Sequence, residues 1–449
     1  MENERYILHS TRVVLPNGVR EAWILIENGR IGAVLGAALA GVECRELGNL
    51  VLMPGLIDSH VHINEPGRTE WEGFDTATKA AAAGGITTLV DMPLNASPVT
   101  TTLAAFQQKL AAANGKMHVN CGFYGGIVPG NSDDLAPLIA AGVLGIKAFL
   151  SHSGIDEFPN VEEADLRAGM PVIAAGGVPL LVHAELVSDH PDVHVMDEEP
   201  RSHAAWLRSR PKYWENDAVA LMIRLCREFR CKTHIVHLAS SEAIPMLQAA
   251  VNEGLPITVE TCPHYLVFAA EDIEDGQTLF KCAPPIRERA NNDLLWEALR
   301  SGLITMVVTD HSPATPDLKG LGDGRFREAW GGIASLQFSL PATWTEAEKR
   351  GFHLSDIVKW MSTHVAEFLG LQHHKGAIAS GMDADLVVWD PESACPTEKA
   401  DIQHRHPVSP YARMNLRGKV LQTYVGGKIV FDQGNFPNLG CGNVILRKN

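Results

Sequence analysis

Eight short apolar segments, separated by stretches with the composition of helices, constrain the fold of this chain most strongly. We predict strands at residues 57–62, 87–92, 119–124, 146–151, 179–184, 232–239, 257–262 and 304–310. The connecting stretches include DTATKAAAAGG and NDAVALMIRLCREF. Eight buried parallel strands alternating with helices are typical of a closed TIM-type (β/α)8 barrel, whose chemistry lies at the carboxyl ends of the strands. A doubly wound open sheet is the alternative, but no GxGxxG or Walker loop follows any segment.

The two ends of the 449-residue chain differ from its middle. YILHSTRVVL and AWILIE near the start, and ADLVVWD and GKVLQTYVGGKIVFDQG near the end, are β-rich runs. Asn17-Gly18 and Asn28-Gly29 are strong hairpin signals. We therefore predict an α/β protein with a small β-sandwich domain formed by residues 1–53 and 379–449, and a barrel formed by residues 54–378.

Composition excludes several classes of function. The formal net charge of −15 argues against binding to nucleic acid or to anionic membranes, since both need clustered Lys and Arg. The first residues, MENERYILHSTRVV, lack the apolar core of a signal peptide, and no apolar run reaches the ~18 residues that cross a bilayer. The eight cysteines are scattered without a CxxC pair. These features predict a cytoplasmic protein with reduced thiols.

Histidines recur at the ends of the predicted strands. His60 and His62 end the first strand, and residues two apart on a strand share a face. His183 and His237 lie on the fifth and sixth strands, and Asp310 ends the eighth. A lone strand histidine is more often a hydrogen-bonded core residue, but four histidines and an aspartate at one barrel mouth favour a metal site. Five further histidines lie in polar stretches and are predicted to be surface residues: His190, His194, His203, His373 and His374.

Lys147 lies on the fourth predicted strand, at the same end of the barrel. An ammonium group is repelled by a metal cluster, and a buried lysine needs a depressed pKa or a partner. A neutral lysine amine can add carbon dioxide and become a carbamate, which is an anionic ligand with two oxygens. A Schiff-base lysine and a salt-bridged lysine remain open alternatives.

Seven motifs carry a resemblance to a known family. In chain order they are MPGLIDSHVH, GIKAFLS, LVHAE, HIVHLASS, ETCPHY, KCAPPIR and VVTDHSP. From about Val51 to the C-terminus, the chain resembles the cyclic-amide hydrolases of the amidohydrolase superfamily, which include hydantoinases, dihydropyrimidinases, dihydroorotases and allantoinases. The resemblance implies two divalent metal ions held by six residues, all present here: His60 and His62 on the first metal, His183 and His237 on the second, N6-carboxylated Lys147 as the bridge, and Asp310 on the first metal. Zinc suits such ligands, with iron, manganese and cobalt as alternatives.

The residues around these ligands distinguish the branches of the superfamily. Dihydroorotases typically have an arginine two positions after HxH, whereas this chain has Asn64, which cannot form a bidentate charged clamp on a carboxylate. Hydantoinases typically have an aspartate after HxH and lack the run NEPGRTEWEGF. That run, together with WGGIASLQ at 330–337 and RHPVSPY at 405–411, is most similar to the allantoinases.

Three residues are predicted to contact substrate: Asn64, Ala283 and Gly332. Ala283 stands where hydantoinases have a substrate-contacting serine, so this wall offers only main-chain groups. Gly331 and Gly332 permit close approach and can add further main-chain contacts.

The resemblance implies a hydrolase that opens the hydantoin ring of allantoin to give allantoate, a step of purine breakdown, in a homotetramer. Two metals activate a hydroxide, and Asp310 acts as general base and then as general acid. A hydantoinase or dihydropyrimidinase acting on other cyclic amides is the alternative enzyme. A non-catalytic assembly protein is the alternative from another class, and the presence of all six ligand positions argues against it.

Overall fold

The structure is a computed structural model that describes residues 5–192, 194–438 and 440–448. The chain begins with five strands: β1 (Arg5–Leu15), β2 (Gly18–Glu27), β3 (Arg30–Leu35), β4 (Glu43–Glu46) and β5 (Val51–Pro54). β1 pairs antiparallel with β2, and β2 with β3. Both predicted hairpins are present, and Asn28 and Gly29 have φ values of 52° and 78°, as the tight β2–β3 turn requires.

The middle of the chain forms a ring of parallel strands. These are β6 (Leu56–Val61), β7 (Ile86–Asp91), β8 (Asn120–Phe123), β9 (Gly125–Gly126), β10 (Ile146–Phe149), β11 (Leu180–His183), β12 (Thr233–Ile235), β13 (Ile257–Thr261) and β14 (Met306–Val307). β9 continues β8 after Tyr124. Each of the eight predicted segments contains a strand, and the predicted fold class is confirmed.

Hydrogen bonds close this ring into a barrel. β6, β7 and β8 form one run of paired strands, and β9 to β14 form another. The Leu144 amide donates to the Phe123 carbonyl at 2.9 Å, which joins the end of β8 to the segment just before β10. On the other side, Val61 pairs with His311 and the His62 amide donates to the His311 carbonyl at 2.8 Å. The carboxyl ends of β6 and β14 therefore meet.

Helices connect the strands and cover the outside of the barrel. They are α1 (Phe74–Ala83), α2 (Leu103–Ala113), α3 (Ser132–Ala140), α4 (Glu163–Gly176), α5 (Val195–Glu198), α6 (His203–Ser209), α7 (Lys212–Phe229), α8 (Ile244–Asn252), α9 (Pro263–Val267), α10 (Arg289–Ser301), α11 (Ser339–Lys349), α12 (Leu354–Val358) and α13 (His364–Leu369). α1 is rich in alanine and buries Ala77, Ala80, Ala81 and Ala82, because small side chains let it pack closely. Among the described helices, none combines the length and the apolar character that spanning a bilayer requires.

The last strands return to the sheet at the start of the chain. They are β15 (Leu386–Ala394), β16 (Arg417–Val425) and β17 (Lys428–Asp432). The sheet has the order β17-β16-β15-β5-β1-β2-β3, with β4 paired to β1, so both ends of the chain contribute to it. The domain boundaries after residues 53 and 378 stay predictions.

A segment near the C-terminus lies against the barrel. The Cys121 amide donates to the Asn443 carbonyl at 2.9 Å, and the Ile445 amide donates to the Cys121 carbonyl at 2.8 Å. Val444 is thereby paired in parallel with Cys121, on the edge of β8 that faces away from β7. The Arg447 amide donates to the Gly142 carbonyl at 2.9 Å. Residues 443–447 thus complete one edge of the barrel.

Candidate functional site

Two histidines and an aspartate converge at the carboxyl ends of β6 and β14. The Nε2 atoms of His60 and His62 lie 3.2 Å and 3.5 Å from Oδ1 of Asp310. All three side chains are buried, and their ligand atoms lie within 4.8 Å of one another. Two imidazole nitrogens and a carboxylate oxygen at this spacing form a donor set that suits a divalent metal ion.

The Nδ1 atoms of His60 and His62, which face away from Asp310, are hydrogen-bonded to other groups. His62 Nδ1 donates to the Leu94 carbonyl at 3.0 Å, so its Nε2 carries a lone pair toward Asp310. His60 Nδ1 lies 2.5 Å from a carboxylate oxygen of Glu260. Glu260 also bonds His234 Nε2 at 2.9 Å and accepts the His237 amide at 3.3 Å. One buried carboxylate on β13 therefore orients both sides of the site.

The two histidines of the second predicted pair, His183 and His237, face each other. His183 Nδ1 lies 2.9 Å from His237 Nε2, while His183 Nε2 bonds the Glu185 carboxylate at 2.9 Å. His237 Nδ1 is buried without a hydrogen-bond partner in the described part of the chain. Burial lowers the pKa of both rings, which keeps them neutral as metal binding requires.

Lys147 lies on β10, which pairs with the strand that carries His183. Its Nζ is fully buried and has no hydrogen-bond partner among the described residues. It sits 5.0 Å above the centre of the Phe149 ring, which in turn stacks on His183. Burial lowers the pKa of Lys147 to about 8, so the neutral amine is far more abundant near physiological pH than in an exposed lysine.

Three of the predicted site residues have left-handed backbone conformations. The φ values are 66° at Asn64, 39° at His237 and 46° at Asp310. Residues other than glycine adopt this region at an energetic cost and only where the surrounding structure enforces it. Such positions concentrate at functional sites, which agrees with their place at the strand ends.

Asp310 remains ionised in this environment. Burial alone raises the pKa of its carboxyl, but the neighbouring His60, His62 and His237 hold it well below the usual range. The Ser312 hydroxyl donates to Asp310 Oδ1 at 2.9 Å. The carboxylate is thus available to accept a proton at neutral pH.

A cavity of about 350 Å³ opens above these residues. Its lining includes Ala283 and five of the six predicted metal ligands: His60, His62, His183, His237 and Asp310. The volume is in the range of pockets that take small molecules. Ala283 thus lines the cavity, and its contact with substrate stays a prediction.

Asn64 and Gly332 lie behind the cavity wall. The side-chain NH2 group of Asn64 donates to the Pro313 carbonyl at 3.3 Å, and its side-chain oxygen accepts from the side-chain NH2 group of Asn95 at 3.3 Å. Asn95, in turn, lines the cavity. The Gly332 amide donates to the Lys281 carbonyl at 2.9 Å. A Cβ at Gly332 would lie 2.2 Å from the Ser312 carbonyl oxygen, so glycine is required by close packing.

An ion pair supports the second pair of histidines. Arg210 lines the cavity and bonds both carboxylate oxygens of Glu185, at 3.1 Å and 2.5 Å. Burial raises the pKa of the Glu185 carboxyl, but Arg210 and His183 together hold it below the usual range. Glu185 therefore stays charged and fixes the orientation of the His183 ring.

The orienting residues were not predicted from the sequence. Glu260 and Glu185 lie inside the motifs ETCPHY and LVHAE, but nothing in those motifs shows which histidine each one holds. The only sequence signal for these two residues is a carboxylate in, or just after, a buried strand, because a buried charge needs a partner. Arg210 and Asn95 lie in connecting segments and carry no such signal.

One prediction about the other histidines was wrong. His203 is fully buried at the start of α6, where its ring packs edge-on to Phe326 at 5.6 Å. The polar residues around His203 form the beginning of α6, and this helix packs on residues that are distant in sequence. His190 is half-buried, and its Nε2 donates to the Ser209 carbonyl at 3.1 Å. The remaining three are exposed, as predicted: His194, His373 and His374.

The amidohydrolase family model matches residues 51–430. The chain belongs to the amidohydrolase family. This amidohydrolase is 48% identical to an allantoinase of Streptomyces avermitilis, over 97% of each chain. It is 43% identical to an allantoinase of Arabidopsis thaliana, over 99% of this chain and 92% of the plant protein.

Solved structures of related enzymes share the fold of this amidohydrolase. An L-hydantoinase (dihydropyrimidinase) from Arthrobacter aurescens superposes with a TM-score of 0.92 at 29% identity, covering 98% of this chain and 100% of the other. A dihydropyrimidinase from Brevibacillus agri gives a TM-score of 0.90 at 25% identity, covering 99% and 100%. The expected family and its metal-binding character are confirmed by the family match together with the His-His-Asp site.

Proposed function

We propose that this amidohydrolase opens the hydantoin ring of allantoin by hydrolysis and releases allantoate. The observation that carries the proposal is a His-His-Asp cluster at the floor of a small-molecule cavity, in a chain 48% identical to an allantoinase over 97% of its length. In the reaction, water adds its oxygen to the ring carbonyl carbon and the ring C–N bond breaks. The products are a carboxylate and a ureido NH2 group on one open chain.

Two divalent metal ions fit the donors that converge below the cavity. His60, His62 and Asp310 would hold the first, and His183 and His237, whose ring nitrogens already face each other, would hold the second. When bound, the ions provide Lewis acidity, which makes a water nucleophilic near neutral pH and polarises the scissile carbonyl. Zinc suits this nitrogen-rich set, and iron, manganese and cobalt are alternatives that metal analysis of the purified protein separates.

Lys147 would join the two metal positions as a carbamate. Its buried amine has no hydrogen-bond partner in the described chain and a pKa lowered to about 8, both of which favour reaction with carbon dioxide. The nitrogen forms a bond to the carbon of carbon dioxide and loses a proton, which leaves a singly negative carbamate. That charge also removes the repulsion between an ammonium group and bound metals.

Asp310 would move the proton during ring opening. Its carboxylate is ionised and lies beside His60 and His62, so it can take a proton from the attacking water. Asp310 then delivers this proton to the ring nitrogen as the C–N bond breaks. Without the proton, the departing amide nitrogen would leave as a strongly basic anion.

Main-chain groups and Asn95 would form hydrogen bonds with the substrate ring. Ala283 lines the cavity and offers its peptide group in place of a side-chain hydroxyl. Asn64 would act indirectly, because its side chain bonds Asn95 at the cavity wall. Gly332 would act through its close packing on Ser312, which itself bonds Asp310.

The solved relatives support a second candidate, a hydantoinase or dihydropyrimidinase. The TM-score of 0.92 to an L-hydantoinase is consistent with a cavity that accepts other cyclic amides. A turnover panel with allantoin, dihydroorotate, hydantoin and dihydrouracil, with and without a chelator, separates the candidates. Chelator-sensitive turnover that is highest on allantoin supports the proposal, whereas preference for hydantoin or dihydrouracil contradicts it.

We also propose a cytoplasmic homotetramer, on the basis of the resemblance to the cyclic-amide hydrolases. Light scattering on the metal-loaded protein measures the assembly directly. A monomer or dimer at micromolar concentration contradicts this part of the proposal.

A further inference from the structure

Two buried lysines hold one wall of the cavity. Lys281 and Lys319 are 5% and 3% exposed, and neither forms an ion pair with a carboxylate in the described chain. Burial lowers the pKa of Lys281 to about 8 and that of Lys319 to about 7. Burying two ammonium groups without a counter-charge is unfavourable, so other groups must stabilise them.

Their partners are main-chain carbonyl oxygens of one segment, residues 327–332, which we name the wall segment. Lys281 Nζ donates to the carbonyls of Arg327 at 3.1 Å and Ala329 at 2.6 Å. Lys319 Nζ donates to the carbonyls of Trp330 at 2.9 Å and Gly332 at 2.7 Å, and to that of Lys281 at 3.3 Å. Four carbonyls of the wall segment therefore turn toward the two ammonium groups.

This arrangement leaves the main-chain N–H and C=O of Gly331 free. The amide of Trp330 donates to the Leu318 carbonyl at 2.6 Å, and the amide of Gly332 donates to the Lys281 carbonyl at 2.9 Å. Between them, the N–H and C=O of Gly331 have no hydrogen-bond partner within the described ranges. Gly331 lines the cavity, and a Cβ added there would meet no atom within 4 Å. The main-chain N–H and C=O of Gly331 are thus available at the cavity.

The wall segment is also tied to the reacting groups. Gly332 packs directly against Ser312, whose hydroxyl donates to Asp310. A displacement of the wall segment therefore changes the distance between Gly331 and Asp310. A cyclic ureide ring has alternating N–H and C=O groups on its edge, and the fixed main-chain N–H and C=O of one residue can bind such an edge as donor and acceptor.

We propose that Lys319, assisted by Lys281, is a positioning residue that holds the main-chain N–H and C=O of Gly331 where they bind the edge of a cyclic ureide. The inference rests on the proposed function for the identity of the ring. A role in stability alone is the alternative, because ammonium groups also satisfy buried carbonyls in proteins without substrates.

The test compares Lys319→Met with Lys232→Met. Methionine keeps the length of the side chain and removes the ammonium. Lys232 is a matched control, because its Nζ also donates to a main-chain carbonyl, that of Gly177 at 3.2 Å, but at the opposite end of the barrel. Each variant is loaded with metal, and its metal content and thermal unfolding are measured first.

Two readouts follow. Amide hydrogen exchange measured by mass spectrometry should be about tenfold faster at Trp330 and Gly332 in Lys319→Met and unchanged in Lys232→Met, since local opening becomes easier. The KM for allantoin should rise about tenfold with kcat changed by less than about threefold, because the Gly331 contacts exist in the ground state and in the transition state alike.

The outcomes separate this inference from the proposed function. Exchange and KM equal to those of Lys232→Met overturn it, and so does faster exchange without a change in KM, which assigns the lysines to stability alone. If Lys319→Met does not fold, Lys281→Met carries the same exchange prediction at Ala329 and Trp330. A wild-type protein without turnover on allantoin defeats the proposed function, while the exchange comparison still decides whether the lysines hold the wall.

Discussion

His60 and His62 each have their far ring nitrogen held by a group outside the site, whereas His183 and His237 are hydrogen-bonded to each other. In the first pair, Glu260 and the Leu94 carbonyl fix the rings, and both Nε2 atoms are left to face Asp310. In the second pair, the atoms that would bind a metal lie 2.9 Å apart.

The two halves of the site are therefore not equally preorganised to bind a metal. The first pair has no internal hydrogen bond to lose, so its ligands are preorganised. The second pair must give up the bond between His183 and His237 and separate. We therefore expect the metal at the first pair to bind more tightly than the metal at the second pair.

Replacing Lys147 should have the largest effect. Lys147→Ala removes the proposed carbamate bridge, so we expect loss of the second metal and of detectable turnover. Metal content by mass spectrometry and allantoin hydrolysis measure both effects. Lys147→Arg is the control, because it keeps a positive side chain that forms no stable carbamate; normal turnover with two metals in either variant contradicts the bridge.

Asp310→Asn should keep the metals and lose the proton transfer. Asparagine still offers an oxygen ligand beside His60 and His62 but cannot accept and return a proton. We expect kcat to fall about 10²–10⁴-fold, the usual contribution of a general base. Turnover close to that of the wild-type enzyme at full metal occupancy would assign the proton transfer to another group.

Neutralising the two orienting carboxylates one at a time should show which metal belongs to which histidine pair. Glu260→Gln should weaken metal binding at the first pair about 10–100-fold, the usual effect of losing a group that orients a histidine ligand. Glu185→Gln should weaken the second pair, through His183 alone. Competition with a chelator of known affinity measures both constants; if Glu185→Gln weakened the tighter metal, the assignment of tight binding to the first pair would be wrong.

The smallest expected effect concerns pH. Only the neutral amine of Lys147 reacts with carbon dioxide, and burial lowers its pKa from 10.5 to about 8. At a fixed concentration of dissolved carbon dioxide, the rate of reactivation of metal-free protein should rise about tenfold per pH unit below the pKa and level off above about pH 8. A rate that keeps rising toward pH 10, as for an exposed lysine, contradicts the lowered pKa.

Much of the fold could be predicted because it depends on local patterns. The barrel strands are buried along their length and rich in apolar residues. An Asn-Gly pair encodes the β2–β3 turn at Asn28 and Gly29. The ligand residues could be located for the same reason, since His60 and His62 lie at a strand end and strand ends meet at one mouth.

The rest depends on contacts between distant parts of the chain. Glu260 lies 200 residues from His60, and only closure of the barrel brings them together. Asn64 was placed near the substrate by its position after HxH, but its left-handed backbone turns its side chain toward Pro313 and Asn95. His203 was mistaken for a surface residue because local polarity does not reveal a packing partner such as Phe326.

The pairing of Val444 with Cys121 has a consequence for how the protein is made. Synthesis on the ribosome proceeds from the N-terminus, and domains usually fold as soon as their residues have emerged. Here β8 emerges early, but the segment that covers its edge is translated more than 300 residues later. During most of translation, the nascent barrel therefore presents an open strand edge, the kind of surface that attracts chaperones and pairs with other chains.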